Sequence, residues 1–205
     1  MKDITSASSV LYGTGSRRYE PGAQWFHWIT AALVFTIIPL GWIFAEFKTK
    51  GNPPTSFEAP FPGAPGDYAT AHKSIGIIIF ALIIARFAFR LLNPPPALPG
   101  SMGGLTRLVS NASHWLLYLV LFCMPISGYI ASSGGKHPIS FLGLFDLPKL
   151  PVSHDIGEQA ASLHVFAQWI LLGLIALHLA GTAWHLFVRR DAILDRMLPR
   201  QANAE

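Results

Sequence analysis

Four long apolar segments run through the chain, separated by stretches rich in glycine, proline and polar residues. A hydrocarbon layer about 30 Å thick needs about 20 apolar residues at about 1.5 Å per residue of helix. Backbone groups in lipid must bond within their own segment, which favours helices. The pattern therefore predicts an all-α fold, an integral membrane four-helix bundle. The four segments cover approximately Gln24 to Ala45, Lys73 to Leu92, Leu108 to Ala131 and Leu163 to Val188.

The composition agrees with a lipid environment, because only 13% of the 205 residues are charged, about half the share in soluble domains. The single cysteine, Cys123, lies in an apolar segment. Intramolecular disulfides, cysteine-held iron–sulfur clusters and CxxCH haem attachment are therefore excluded. Residues 1–23 are polar and lack the apolar stretch of a signal peptide. We expect an N-terminal segment over 1–23, a helical domain over 24–188 and a C-terminal tail over 189–205.

Basic residues are distributed unevenly between the two ends of the predicted helices. The long connections, residues 46–72 and 132–162, and their borders hold five of them, Lys48, Lys50, Lys73, Lys136 and Lys149. The opposite side holds ten, Lys2, Arg17, Arg18, Arg86, Arg90, Arg107, Arg189, Arg190, Arg196 and Arg200. The positive-inside rule then predicts that both termini are cytoplasmic. In a bacterium this describes a multi-pass protein of the inner membrane. The net charge of +4 thus indicates orientation in the lipid bilayer, and no nucleic-acid partner is expected.

Most of the eight histidines lie within or beside an apolar segment, where an ionisable residue is costly and points to function. His164 and His178 face the same side of the fourth helix, about 40° apart around its axis and about 21 Å apart along it. His27 lies near the cytoplasmic start of the first helix, and His72 at the outer start of the second. One histidine from each facing helix at each depth gives two pairs. A low-spin haem needs two such axial nitrogens, so the spacing favours two haems.

Other interpretations of these histidines stay open at this point. By depth alone, His185 could partner His27 as well as His178 could, although its larger separation from His164 argues for His178. His185 and His114 have an alternative as hydrogen-bonded residues near the membrane surface, and any single histidine could bond a neighbouring carbonyl. A zinc site is the weaker metal hypothesis, because zinc takes four ligands, often including cysteine or carboxylate. A haem-free transporter or assembly module is also weaker. His137 and His154 receive no role.

Arg86 and Arg90 lie four residues apart, on one face of the second helix near its cytoplasmic end. The guanidinium fork matches a carboxylate, so Arg86 is a candidate for binding a haem propionate. Lys73, beside His72, could serve the outer haem in the same way. The alternative for both arginines is extension to lipid headgroups, which we favour for Arg90.

The segments around these residues resemble the bacterial cytochrome b561 family over about residues 17 to 200. The resemblance rests on FHW around His27, on AHKSIGIIIFALIIARFAFRLLNPPP in the second helix and on SHWLLYLVLFCMPISGYI in the third. It extends to the fourth helix, where His164, His178 and His185 are followed by RRDAILDRMLP. One departure is Trp184 before His185, where relatives often have two adjacent histidines.

The resemblance implies a cytochrome with two haem b groups that exchanges electrons with the membrane quinone pool. It implies that His27 and His178 hold the cytoplasmic-side haem and that His72 and His164 hold the outer one. His114 and His185 match positions near the quinone. Relatives include cytochrome b subunits of hydrogenases and formate dehydrogenases, and others resemble a superoxide oxidase. The choice between an electron carrier and an oxidoreductase therefore stays open, as does a periplasmic or membrane redox partner.

Overall fold

The computed structural model describes residues 18–50, 68–98 and 102–199. Outside these ranges lie most of the predicted N-terminal segment, part of the first long connection and the end of the tail, with Lys2, Arg17 and Arg200; the side chains of Lys48 and Lys50 are also not described. Four helices account for most of the rest: α1 Pro21–Lys50, α2 Tyr68–Leu92, α3 Gly104–Gly134 and α4 His154–Ala183.

Shorter elements connect and extend these helices. Between α3 and α4, β1 (Ile139–Phe141) and β2 (Phe145–Leu147) form an antiparallel hairpin. Its turn includes two residues with positive φ, Leu142 at 55° and Gly143 at 71°. α4 continues directly into a π-helix, Trp184–Arg189, and a 3-10 turn follows at Leu194–Arg196.

Each long helix contains a stretch long and apolar enough to cross a bilayer, and these stretches are Pro21–Ile43, Tyr68–Leu92, Gly104–Gly134 and His154–Arg189. The prediction of an all-α membrane bundle is confirmed. α2 and α4 begin earlier than the hydrophobic pattern indicated, because their first turns are helical but polar. His72 and His164 consequently lie inside helices, with at least one turn before each of them.

The outer surface is apolar, and several of the most buried side chains are polar. Phe35, Leu119 and Phe166 are each more than half exposed, whereas Thr30 and Ser74 are almost completely buried. Buried hydroxyls of this kind bond the helix itself: Ser74 Oγ donates to the carbonyl of Thr70 at 2.7 Å. This distribution suits a bundle solvated by lipid, where polar side chains face inward.

The helices associate mainly as two pairs, α1 with α2 and α3 with α4, and α2 also packs on α3. Among the described residues, neither α1 nor α2 brings its backbone into extensive close contact with α4. We call the end of the bundle where α1 and α3 begin the terminal end, and the opposite end, with the hairpin, the loop end. Contact between α4 and the α1–α2 pair is made by side chains, since Ile175 of α4 packs against the buried cluster of Val34, Ile79 and Ile83.

At the loop end, α3 and α4 cross at two glycines. A Cβ added to Gly134 would lie 2.7 Å from Gly157 Cα, and one added to Gly157 would lie 2.8 Å from Gly134 Cα. Real side-chain carbons do not approach backbone this closely, so both positions require glycine for the two helices to touch.

At the terminal end, hydrogen bonds from the segment after α4 join it to several other parts of the chain. The carbonyl of Arg196 accepts from the backbone nitrogen of Tyr19 at 3.0 Å and from Gln24 Nε2 at 3.1 Å. Its guanidinium donates to the carbonyls of Ala97, at 2.9 Å, and Pro96, at 3.2 Å. Arg196 is only 3% exposed. We call these contacts the Arg196 clamp; they join the start of α1, the connection after α2 and the tail.

The Gly157→Ala substitution should destabilise the protein, because its methyl group collides with backbone rather than with a movable side chain. Overpacking of this kind costs about 1–3 kcal/mol. The measurement is the thermal unfolding midpoint in detergent. Gly173→Ala, on the same helix, is the matched control, since nothing lies within 4 Å of its added Cβ. Equal midpoints for the two variants would contradict the packing argument.

Candidate haem sites

At the loop end, the structure brings His72 of α2 and His164 of α4 together. Their ring centroids lie 6.1 Å apart, with an angle of 79° between the ring planes. A metal–imidazole bond is about 2 Å long and the ring centre lies about 1 Å beyond the nitrogen, so two imidazoles on opposite faces of one iron have centroids about 6 Å apart. The spacing of this pair fits axial ligation.

The tautomer of His164 also fits this role. Its Nδ1 lies 2.9 Å from the carbonyl oxygen of Met124 and 3.2 Å from Ser127 Oγ. Because a carbonyl only accepts, Nδ1 carries the proton and Nε2 keeps its lone pair. A ligand histidine held at one nitrogen and free to bind metal at the other is the usual arrangement in metal sites.

Two glycines leave room for these rings. A Cβ on Gly41 would lie 2.9 Å from His72 Cε1, and a Cβ on Gly128 would lie 3.2 Å from His164 Cε1. Larger residues at either position would press directly on an imidazole ring.

At the terminal end, His27 of α1 faces His178 of α4. Their ring centroids are also 6.1 Å apart, with an interplanar angle of 60°. His114 of α3 packs against the other side of this group, with its centroid 5.2 Å from that of His178. Nδ1 of His114 donates to the carbonyl of Ser110 at 2.6 Å, so its Nε2 is left as an acceptor.

Arg86 touches His27 directly, since its Nη2 lies 3.1 Å from His27 Nδ1. A guanidinium only donates, so Nδ1 accepts and Nε2 holds the proton of the neutral ring. Ligation of iron through Nε2 needs the opposite tautomer. This pair therefore fits a metal once Arg86 turns to another acceptor, such as a carboxylate of the bound group. The Arg86 guanidinium carbon also lies 5.3 Å from the centre of the Tyr118 ring.

Arg90 lies over aromatic rings, 5.6 Å from the centre of Trp115 and 5.8 Å from that of Tyr118. Cation–π contacts of this type stabilise a partly desolvated guanidinium. The charge of Arg90 is thus accommodated by contacts within the protein. It does not require the extension to lipid headgroups that the sequence favoured.

A cavity of about 580 Å³ opens beside the His27–His178 pair, within the usual range for small-molecule and cofactor sites. All three residues predicted to bind cofactor or quinone line it, Arg86, His114 and His185. The structure thus brings them together with one histidine pair, while His72 and His164 stand apart at the other end.

Within the described residues, no group of three or more His, Cys, Asp and Glu side chains is arranged to hold a metal ion by itself. The histidines occur instead as facing pairs. Two axial nitrogens suit an iron whose other four positions are filled by a macrocycle, whereas zinc calls for about four protein ligands.

The 14-residue spacing of His164 and His178 on α4 recurs on the other three helices. It separates His27 from Gly41, His72 from Arg86 and His114 from Gly128. It was the signal that could have located Gly41 and Gly128. The terminal-end level is formed by His27, Arg86, His114 and His178; the loop-end level is formed by Gly41, His72, Gly128 and His164.

Four membrane helices that hold facing histidine pairs define a class, the helical membrane cytochromes of b type. Residues 18–200 match the family described as prokaryotic cytochrome b561. The chain belongs to the prokaryotic cytochrome b561 family, as the sequence resemblance predicted, and the family implies a b-type haem.

Individual relatives agree with this assignment. Cytochrome b561 homolog 2 of Escherichia coli K12 is 33% identical over 190 residues, covering 91% of this chain and 94% of that protein. The probable superoxide oxidase CybB of Yersinia pestis is 25% identical, covering 85% of this chain and 92% of its own length. Cytochrome b561 homolog 1 of Escherichia coli K12 is 24% identical, covering 90% and 98%.

The Gly41→Ala substitution should lower the amount of haem bound per chain, because the new methyl group displaces the His72 ring. The haem-to-protein ratio of purified protein measures this effect. Gly76→Ala is the matched control on the facing helix, because its Cβ would lie 3.6 Å from Ile37 Cδ1, an ordinary contact. Unchanged haem content in Gly41→Ala would show that the ring tolerates the displacement.

Proposed function

We propose that this protein carries electrons across the membrane through two b-type haems and exchanges them with a quinone. The observation that supports two haems is the presence of two histidine pairs with the same centroid separation, 6.1 Å. The pairs lie at depths about 21 Å apart along α4. With this spacing, one redox group would lie in each half of the bilayer.

In this proposal, His27 and His178 are the axial ligands of one haem, and His72 and His164 those of the other. When bound, the haem iron supplies reversible one-electron transfer. The helices hold the rings in position, and the apolar bundle excludes water from them; ligand identity, burial and hydrogen bonding together set the reduction potential. Arg86 would bind a haem propionate in place of His27, and its charge would neutralise that buried carboxylate.

We further propose that the terminal end faces the cytoplasm, which places the protein in a bacterial inner membrane. Seven of the described basic side chains lie at that end and three, Lys73, Lys136 and Lys149, lie at the loop end, an asymmetry that follows the positive-inside rule. The large cavity and the predicted quinone residues His114 and His185 then lie in the cytoplasmic half.

The first test is a reduced-minus-oxidised visible spectrum of purified protein, with haem quantified per chain. Two low-spin b haems per chain are expected. One haem would mean that a pair is misassigned, and colourless protein from haem-replete cells would favour the haem-free transporter or assembly module.

Single ligand substitutions should remove one haem each. His164→Ala should empty the loop-end site and His178→Ala the terminal-end site, leaving about half of the wild-type haem. His154→Ala is the control, because His154 is exposed and contacts Glu158 at 3.3 Å on the same helix. Retention of both haems in either ligand variant would overturn the pairing.

A second candidate function is oxidation of superoxide with transfer of its electron to quinone. It is favoured by the relative named probable superoxide oxidase CybB, 25% identical over most of this chain. Lysines at the loop end, Lys73, Lys136 and Lys149, would attract the anion and raise its encounter rate. Superoxide-driven quinone reduction that weakens as salt is added would support this function, and the absence of quinone reduction under superoxide flux would exclude it.

A further inference from the structure

The end of α4 is built in an unusual way. The helix widens into a π-helix at Trp184–Arg189 and stops at Arg190, a non-glycine residue with φ of 51°. π-helical turns and left-handed residues cost energy and concentrate at functional sites. Their effect here is to fold the chain back, so that Asp191 lies beside His185.

His185 and Asp191 form a close pair. The distance from His185 Nδ1 to Asp191 Oδ2 is 2.8 Å. The backbone nitrogen of Asp191 donates to the carbonyl of His185 at 3.2 Å, and Asp191 Oδ1 accepts from the nitrogen of Ile193 at 3.3 Å. These bonds fix the carboxylate. A carboxylate that accepts from Nδ1 leaves Nε2 of His185 as the atom that gains or loses a proton.

This pair lies between two cavities. His185 lines both the large cavity of about 580 Å³ and a smaller one of about 230 Å³, and Asp191 lines the smaller one. The His185 side chain is 13% exposed and that of Asp191 is 34% exposed. The histidine thus faces the interior, while its partner reaches the surface at the terminal end.

The charges around the pair are mostly positive. Arg189 lines the smaller cavity, and Arg86, Arg90 and Arg196 line the larger one. Among the described residues that line either cavity, Asp191 is the one carboxylate. It is therefore the one negative side chain there that can hold the His185 ring in place.

We propose that His185 donates protons to a quinone in the part of the large cavity that it lines, and that Asp191 is the positioning residue that orients its ring. This inference rests on the proposed function. Reduction of a quinone to a quinol consumes two electrons and two protons, and the reduced haems would supply the electrons. His185 gives a proton from Nε2 to a quinone oxygen with each electron and takes up a new proton from solvent on the side of the smaller cavity. Neither His185 nor Asp191 is among the four proposed haem ligands.

The test is single-turnover reoxidation of fully reduced, haem-loaded protein by a short-chain benzoquinone, followed by stopped-flow absorbance. The variants are Asp191→Asn, Asp191→Glu and, as a control of equal charge change, Asp195→Asn. In Asp191→Asn the limiting rate should fall about 10- to 100-fold, with half-saturating quinone nearly unchanged and haem content equal to wild type. Asp191→Glu should recover much of the rate, and Asp195→Asn should match wild type.

The split between limiting rate and half-saturating quinone concentration separates this role from a structural one. A collapsed cavity would raise the half-saturating quinone concentration, whereas loss of the positioning carboxylate should lower the limiting rate alone. A wild-type limiting rate in Asp191→Asn, or equal slowing in Asp195→Asn, would overturn the proposal. If the Asp191→Asn variant loses haem, the His185→Gln variant is measured instead. A wild-type reoxidation rate in His185→Gln would also overturn the proposal. If the quinone does not reoxidise the haems of the wild-type protein, the proposed function itself is refuted.

Discussion

Two levels of inward-facing residues, 14 positions apart on each helix, are the constraint on which the structure depends. Four turns of helix take 14.4 residues, so positions 14 apart return almost to the same face. His27, Arg86, His114 and His178 meet at one level, and His72 and His164 meet beside Gly41 and Gly128 at the other. A shift of one helix by a single turn would break both levels together, so the register of the whole bundle is tied to the two histidine pairs.

The same constraint agrees with helices that associate mainly as two pairs and share only a small buried core. α1 joins α2 and α3 joins α4 through close contact, and the glycines Gly134 and Gly157 bring α3 and α4 almost to backbone distance. α4 makes few close backbone contacts with α1 and α2, and its Ile175 reaches the small buried cluster of Val34, Ile79 and Ile83 between the two histidine levels. Beside His27 and His178, the wider separation of the helices leaves the large cavity, which is available for a flat, bulky group.

Much of this arrangement could be predicted from the sequence, because hydrophobic length and helical periodicity are local properties. The four helices and the common face of His164 and His178 follow from them, and the family match confirms the assignment to cytochrome b561. The polar first turns of α2 and α4 were missed, since hydropathy does not register them. Gly41 and Asp191 were also missed: the importance of the first depends on which residue faces it from another helix, and that of the second on a π-helical turn that no simple pattern reveals.

The Arg196 clamp has a consequence for the order in which the molecule is completed. A ribosome makes the start of α1 before the segment after α4, yet the carbonyl of Arg196 bonds to Tyr19 and Gln24. Arg196 and Met197 line the large cavity together with Tyr19. During synthesis, every histidine of the bundle therefore exists before that wall of the cavity does. The wall of the cavity at the terminal end therefore cannot be completed before Arg196 and Met197 have been synthesised.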